Sequence, residues 1–304
     1  MMNQYIAIEA GGTKFVCAYG TDPQNLQERT TIPTETPEIT LPQVMDYIKS
    51  VQRKVSIQGI GLACFGPLDL NPQSSTFGFI TATTKLPWKF FNICDFFSSL
   101  NLPLGFDTDV NSSALGEYRW GAGKNVSDLL YLTIGTGIGG GVICNHQLVH
   151  GTMHPEVGHI LIPKMLEDDS FNGVCAYHKN CFEGLASGPA MKVRWQVNSA
   201  LDLPPNHVAW DLEANYIGIA LANFTMAFSP KKIILGGGVM RQKHLLSKIR
   251  IKTLDCLKEY VQNPALDDIE NYIVPPELGE DSGISGALIL AENAKKNVSK
   301  NEYQ

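Results

Sequence analysis

Apolar and polar positions fall into blocks that read alternately as strands and helices. Residues 129–134, Leu-Leu-Tyr-Leu-Thr-Ile, form a short run without charge, the pattern of a strand covered on both faces. Gly135, Gly137, Gly139, Gly140 and Gly141 follow, and Val142 and Ile143 resume the apolar run, so the stretch predicts strand, glycine-rich turn, strand. Residues 5–19 repeat the pattern, with Glu9, Gly11, Gly12, Thr13 and Lys14 in or beside the turn. Two such hairpins point to an internal duplication. Val44, Met45, Ile48 and Val51 recur at helical spacing and predict a helix over 41–55.

The remaining pattern predicts strands over 58–65, 102–106, 160–162 and 233–235. It predicts helices around 93–97, from 112 to about 120, over 191–197 and over 211–228. A helix over 245–261 would bury Leu246, Ile249, Leu257 and Val261, and a last helix would run to about residue 296 before a frayed tail. Strands alternating with helices argue an α/β architecture with two related lobes. In open α/β sheets ligands sit beyond the carboxyl ends of strands, where these glycine turns lie. Their bare amides and the hydroxyls of Thr133 and Thr136 suit an anion; the plain alternative is a hairpin that only turns the chain. Repetition of the motif favours phosphate, although no P-loop string occurs.

A length of 304 residues allows one large domain or two moderate ones. Net charge is -6 without a block of like charge, which argues against a nucleic-acid partner. No apolar run is long enough for a membrane helix, and Tyr5-Ile6-Ala7-Ile8 opens a strand with no secretion signal before it. A cytoplasmic enzyme is expected.

Of the seven cysteines, Cys17, Cys64, Cys94, Cys144 and Cys256 stand alone in mostly apolar settings and read as reduced core residues. Cys175, His178 and Cys181 have Cys-x2-His-x2-Cys spacing, three of the four ligands a structural zinc takes tetrahedrally. His159 is the expected fourth, with His154 next and His150 behind it. Two reduced surface cysteines beside an exposed histidine, or a Cys175–Cys181 disulfide, are the alternatives. With four protein ligands, no position stays open to activate water.

Together, Glu9-Ala10-Gly11-Gly12-Thr13-Lys14, Asp107-Thr108-Asp109-Val110-Asn111, the 135–141 turn, His154-Pro155-Glu156-Val157-Gly158-His159 and the Cys/His cluster resemble the ROK family of sugar kinases. The match runs in order over nearly the whole chain. Glu9 in place of a more usual Asp, and His178 where other members carry only cysteines, make it most similar to the bacterial fructokinase branch. ROK repressors carry an extra N-terminal helix-turn-helix, for which there is no room before Tyr5.

The resemblance implies an α/β, actin-like and hexokinase-like (ribonuclease H-like) ATPase fold of two lobes around a cleft. Residues 1–112 with a C-terminal helix over 285–304 would form one lobe, and 113–284, with the zinc loop, the other. It implies ATP-dependent phosphorylation of a hexose, D-fructose to D-fructose 6-phosphate, by a homodimer with magnesium at the phosphates and a structural zinc. Gly11, Gly12, Thr13, Lys14, Thr133, Gly135, Thr136 and Gly137 would meet the ATP phosphates. Pro189, Gly236, Gly237, Gly238, Val239 and Met240 would line the nucleotide site. Glu9 could hold a water of the magnesium, or be a strand-end carboxylate facing solvent.

Asp109 is the expected general base, because an ionised carboxylate can take the proton of a sugar hydroxyl. Its alternative duty is to cap the helix expected from Ser112. Asp107 ranks second, and Thr108 stands where many relatives have Asn. Glu156 and Glu183 suit vicinal sugar hydroxyls, with Asn111 and His159 on the same floor. Glu156 could instead fix the tautomer of His159, and Glu183 could serve a helix N-terminus. Pro67 would shape the mouth of the cleft. A ROK kinase for glucose, mannose or an N-acetylated hexosamine, and a sugar sensor without turnover, remain open alternatives.

Overall fold

The computed structural model describes residues 3–301. Among the described residues the chain forms two compact units. One comprises the chain up to Lys124, Val149–His154 and everything from Glu280 on; the other comprises Asn125–Leu148 and Pro155–Gly279.

The first unit is built on β1 (Gln4–Ala10), β2 (Lys14–Gly20), β3 (Gln27–Pro33) and β4 (Ile57–Cys64). A small hairpin of β5 (Phe79–Ile80) and β6 (Phe91–Asn92) precedes β7 (Leu104–Thr108). The sheet order is β3-β2-β1-β4-β7, with β1–β3 antiparallel and β1, β4 and β7 parallel. Helix α1 (Pro37–Gln52) lays Leu41, Val44, Ile48 and Val51 into a core with Ile6, Ile8, Phe15 and Leu62. It begins before residue 41 because Pro37 sits in the first turn, where its missing N–H costs nothing. The short α2 (Ile93–Phe96) is capped by the side chain of Asn92.

The opposite face of that sheet holds Tyr5, Ala7, Val16 and Ala63 against Ile284, Ala287, Leu288 and Ala291 of α10 (Ser282–Asn301). The approach is backbone to backbone. A Cβ on Gly61 would stand 1.7 Å from the Ala287 carbonyl oxygen, and one on Gly286 would stand 1.7 Å from that of Ser112. Only glycine allows this seat, which clamps α3 (Asp109–Trp120) against the sheet. Helix α3 starts at Asp109, three residues before the expected start. Thr108 is its N-cap, accepting from the Asn111 N–H at 3.1 Å, so capping is not the duty of Asp109.

The second unit holds β8 (Leu129–Ile134), β9 (Ile138–Cys144), β10 (Gln147–Leu148), α4 (Phe182–Ala186), α5 (Gly188–Trp195) and α6 (Ala209–Phe228). Then come β11 (Lys232–Gly236), α7 (Lys243–Leu257), α8 (Pro264–Asp267), α9 (Ile269–Tyr272) and β12 (Ile273–Val274). Its sheet runs β10-β9-β8-β11-β12, again two antiparallel pairings followed by two parallel ones. The duplication signalled by the two glycine hairpins is thus a duplicated sheet topology.

Four expectations need correction. No strand covers 160–162: Leu161 makes one bridge to Cys181 and is 75% exposed, and Pro163 has no N–H to extend a ladder. Helix α7 stops at Leu257, because Lys258 and Glu259 turn to positive φ, and it buries Leu245 rather than Leu246. Cys256 is exposed, not core. The last helix continues to Asn301, and the tail expected to fray beyond it lies outside the described residues. Among the described residues no helix is long and apolar enough to cross a membrane.

Candidate active site and metal centre

The β1–β2 turn of the first unit is closed by Gly11 N–H donating to the Lys14 carbonyl at 3.0 Å, and the Thr34 hydroxyl donates to the Gly11 carbonyl at 2.7 Å. Thr13 and Lys14 are exposed at its tip. One residue before the turn, Glu9 is half-buried and does not face solvent as one alternative held. Its carboxylate lies over the first turn of α10: a Cβ on Gly283 would come 2.5 Å from Glu9 Cδ. Burial, and then the nearby charge of Asp109, push the Glu9 carboxyl up to about 7. Two carboxylates so placed suit a cation or a cation-bound water beside them.

Asp109 occupies the first position of α3, with its Oδ1 accepting the Val110 N–H at 2.9 Å. A negative group is favoured there by the helix dipole. Asp107 points the other way into protein and is 4% exposed. Its Oδ1 accepts from Thr108 N–H and from Asn111 Nδ2, both at 2.7 Å, and its Oδ2 lies 2.9 Å from His150 Nε2. Asn111 departs from expectation. It is fully buried, its amide nitrogen is committed to Asp107, and its Oδ1 is sealed from solvent, so it offers no surface to a sugar.

In the second unit, the β8–β9 turn carries Gly135, Thr136 and Gly137, and Thr133 ends half-buried on β8. The turn is held by backbone. Gly135 N–H donates to Gly137 O at 2.9 Å, and Gly188 N–H, at the start of α5, donates to Gly135 O at 2.8 Å. Gly237 follows β11 at φ +93°, and a Cβ there would lie 2.4 Å from the Ile134 carbonyl oxygen, so the β11 exit rests directly on β8. These segments line a cavity of about 400 Å³ that includes Gly135, Thr136, Pro189, Gly238 and Val239. Gly137, Gly236, Gly237, Met240 and Thr133 are not on its wall. Sequence reasoning missed Lys192, Asn198, Trp210 and Arg241, which are. The available signal was a cation one turn into a helix begun by Ser187-Gly188-Pro189, and another just after Gly236-Gly237-Gly238. Amides, a helix N-terminus and two cations beside apolar Leu201 and Val239 suit a ligand with an anionic chain and a flat body.

Glu156, His159 and Glu183 also meet in this unit. Glu183 Oε2 accepts the Ile138 N–H at 3.0 Å, and its Oε1 lies 4.0 Å from His159 Nε2. Burial, and then the charge of Glu183, push the Glu156 carboxyl up to about 7. His159 faces two ways. Its Nε2 looks to Glu183, and its Nδ1 lies 3.5 Å from Cys181 Sγ and 3.7 Å from Cys175 Sγ. His178 Nδ1 is 3.8 Å from Cys175 Sγ, and the ligand atoms of all four residues lie within 4.8 Å of one another. A tetrahedral zinc, with bonds of ~2.3 Å to sulfur and ~2.05 Å to nitrogen, sets S···N pairs about 3.6 Å apart, so the cluster fits that ion. Burial pushes the Cys181 thiol up to about 11, so loading the ion would release protons. His154 and His150 are not part of it: His154 Nε2 accepts the Leu68 N–H at 3.0 Å, and His150 is held by Asp107. Cys175 and Cys181 are free thiols, not a disulfide.

Two sheets of identical order and sense, each with a glycine turn at the carboxyl end of its first strand, define an actin-like, ribonuclease H-like ATPase fold. The ROK family profile matches residues 5–294, and the chain belongs to the ROK family. It is 44% identical to a fructokinase of Pediococcus pentosaceus over 96% of this chain and 99% of that protein. It is 39% identical to a fructokinase of Streptococcus mutans serotype c, over 96% of this chain and 98% of that one. Among solved structures, a ROK hexokinase of Thermus thermophilus superposes with TM-score 0.76 at 25% identity, covering 97% of this chain and 99% of that one.

The raised Glu9 carboxyl has a consequence for stability. Its folded value, about 7, lies above its ordinary 4.5, so folding takes up a proton between those pH values and stability falls as pH rises through them. Glu9→Gln is therefore expected to stabilise the ligand-free protein at pH 8 by about 2 kcal/mol, and to change little at pH 4.5. Urea unfolding midpoints at the two pH values measure this; an equal shift at both would refute it.

Proposed function

We propose that the protein is an ATP-dependent fructokinase that converts D-fructose to D-fructose 6-phosphate. The observation that carries this reading is the 44% likeness to the Pediococcus fructokinase over nearly the full length of both chains. In this reading Asp109 takes the proton of the 6-hydroxyl, whose oxygen then attacks the γ-phosphorus, and ADP leaves. Asp109 stands at a helix N-terminus, where the helix dipole favours a carboxylate. The proposed phosphate contacts are Lys14, Gly11, Gly12 and Thr13 in the first unit, and Thr133, Gly135, Thr136 and Gly137 in the second. Pro189 and residues 236–240 hold the nucleoside, with Lys192 and Arg241 at the wall of the cavity. Phosphoryl transfer asks chiefly for positioning and charge neutralisation. Magnesium, when bound, supplies part of that neutralisation, and Glu9 beside Asp109 fits a role in holding its waters.

Glu156 and Glu183 accept hydrogen bonds from sugar hydroxyls, and His159 joins them to the zinc loop. Zinc on His159, Cys175, His178 and Cys181 is structural in this reading, since four protein ligands leave no open position. A homodimer in the cytoplasm completes the proposal, by likeness to the family. A broader hexose kinase is the second reading, favoured by the Thermus ROK hexokinase.

A coupled ADP-release assay over fructose, glucose, mannose and N-acetylated hexosamines decides. Fructose should show the highest kcat/KM, by about tenfold or more, since one misplaced hydroxyl leaves a carboxylate unpaired. Another sugar in first place would replace fructose with the broader reading. Sugar binding without ADP release would make the protein a sensor.

A further inference from the structure

We infer that His150 is a positioning residue for phosphoryl transfer, holding through Asp107 the β7–α3 junction on which Asp109 stands. This rests on the kinase reading above.

The junction is tied by three hydrogen bonds to one side chain. Asp107 is buried at the end of β7, and each of its oxygens has a partner. Oδ1 takes the N–H of Thr108 and the side-chain amide of Asn111, the residue before and the third residue of α3. A carboxylate can only accept, so the Asn111 amide must turn its nitrogen toward Asp107. Strand end, helix cap and first helical turn are thereby bound to a single side chain, and Asp109 lies inside that loop of bonds. Oδ2 is left to His150, whose Nε2 is 2.9 Å away and which comes from a segment 43 residues further along the chain. The Asp107 bond pushes the His150 imidazole up against the opposing effect of burial.

The His150 side chain is 39% exposed, so without it water would reach Oδ2 and Asp107 would exchange a fixed partner for a mobile one. Asp107 would then be free to swing toward that water. That movement would release Thr108 N–H and the Asn111 amide together, and free the first turn of α3 to shift. A general base displaced by a fraction of a bond length still binds nothing less well, yet transfers protons slowly. The Val149–His154 segment is fastened a second time by His154 Nε2, which accepts the Leu68 N–H, so His150 sits on a fixed support.

His150→Ala in the full-length protein should lower kcat about 10- to 100-fold, with the fructose KM within about threefold, because a base is misplaced and no sugar contact is lost. His150→Gln keeps a donor for Asp107 and should restore kcat to within about threefold. Hydrogen exchange at the Thr108 and Asn111 amides should quicken about tenfold or more in His150→Ala, with the core strands unchanged. A kcat held within twofold, a raised KM with unchanged kcat, or unaltered exchange would each overturn the positioning role. If the wild-type protein phosphorylates no sugar, the kinase reading falls and takes this role with it. If the wild type turns over and His150→Ala matches it, only the role of His150 falls.

Discussion

Asp109→Asn is expected to leave the protein folded and to lower kcat by about 10²- to 10⁴-fold, the range a positioned acid or base contributes. The substitution preserves shape. Asn at the first position of α3 keeps a side-chain oxygen to accept the Val110 N–H, and Thr108 still caps the helix. The change is chemical: a neutral amide cannot take the hydroxyl proton. It also removes one of the three causes that raise the Glu9 carboxyl, so the variant should be at least as stable as the parent at pH 8. Fructose KM should change far less than kcat, since proton removal belongs to the transition state. Steady-state kinetics with a thermal melt on the same sample tests both halves. Turnover within tenfold of the parent would take Asp109 out of the mechanism.

The second large effect concerns the metal centre. The purified protein should carry about one zinc per chain, as one four-ligand site requires. Cys181→Ser should lose it. Cys181 is fully buried and is the N-cap residue of α4, where Glu183 lies in the first turn. Structural zinc binds with about 10–16 kcal/mol. If only a few kcal/mol of that supports the folded state, at roughly 2–4 °C per kcal/mol the midpoint should drop by about 10 °C. Turnover should fall too, because His159 and Glu183 lose their shared support. Metal analysis and scanning calorimetry, with and without a strong chelator, provide the check. Fully active protein without zinc, or an unmoved midpoint, would defeat this.

The two hairpins were legible because their signal is local. Glycine clusters between uncharged apolar runs specify a turn and its flanking strands within fifteen residues, and both appear as β1–β2 and β8–β9. The alternation of strands and helices carried the α/β class for the same reason. What failed were short apolar runs that lacked a partner. Ile160-Leu161-Ile162 has strand composition, but a strand exists only beside another, and none lies there. Helix α3 starts three residues before the point its sequence pattern predicts, because Thr108 and Asp109 are both good cap residues and backbone geometry chooses between them.

The sequence by itself determined the kinds of chemistry present: two glycine turns for an anion, an acidic pair before a helix, and a Cys-x2-His-x2-Cys cluster one ligand short of a zinc site. Tertiary structure removed the two rivals to the expected fourth ligand, His159. The sequence ranks His159 ahead of His154 and His150 without excluding either; in the fold Asp107 holds His150, the Leu68 amide holds His154, and His159 reaches the thiols. Tertiary structure alone decided that Asn111 is a buried strut and that Asp107 and Asp109 face different surroundings. Such assignments depend on burial and on partners distant in sequence. A side chain's neighbours across the fold set its role, and no spacing along the chain encodes them.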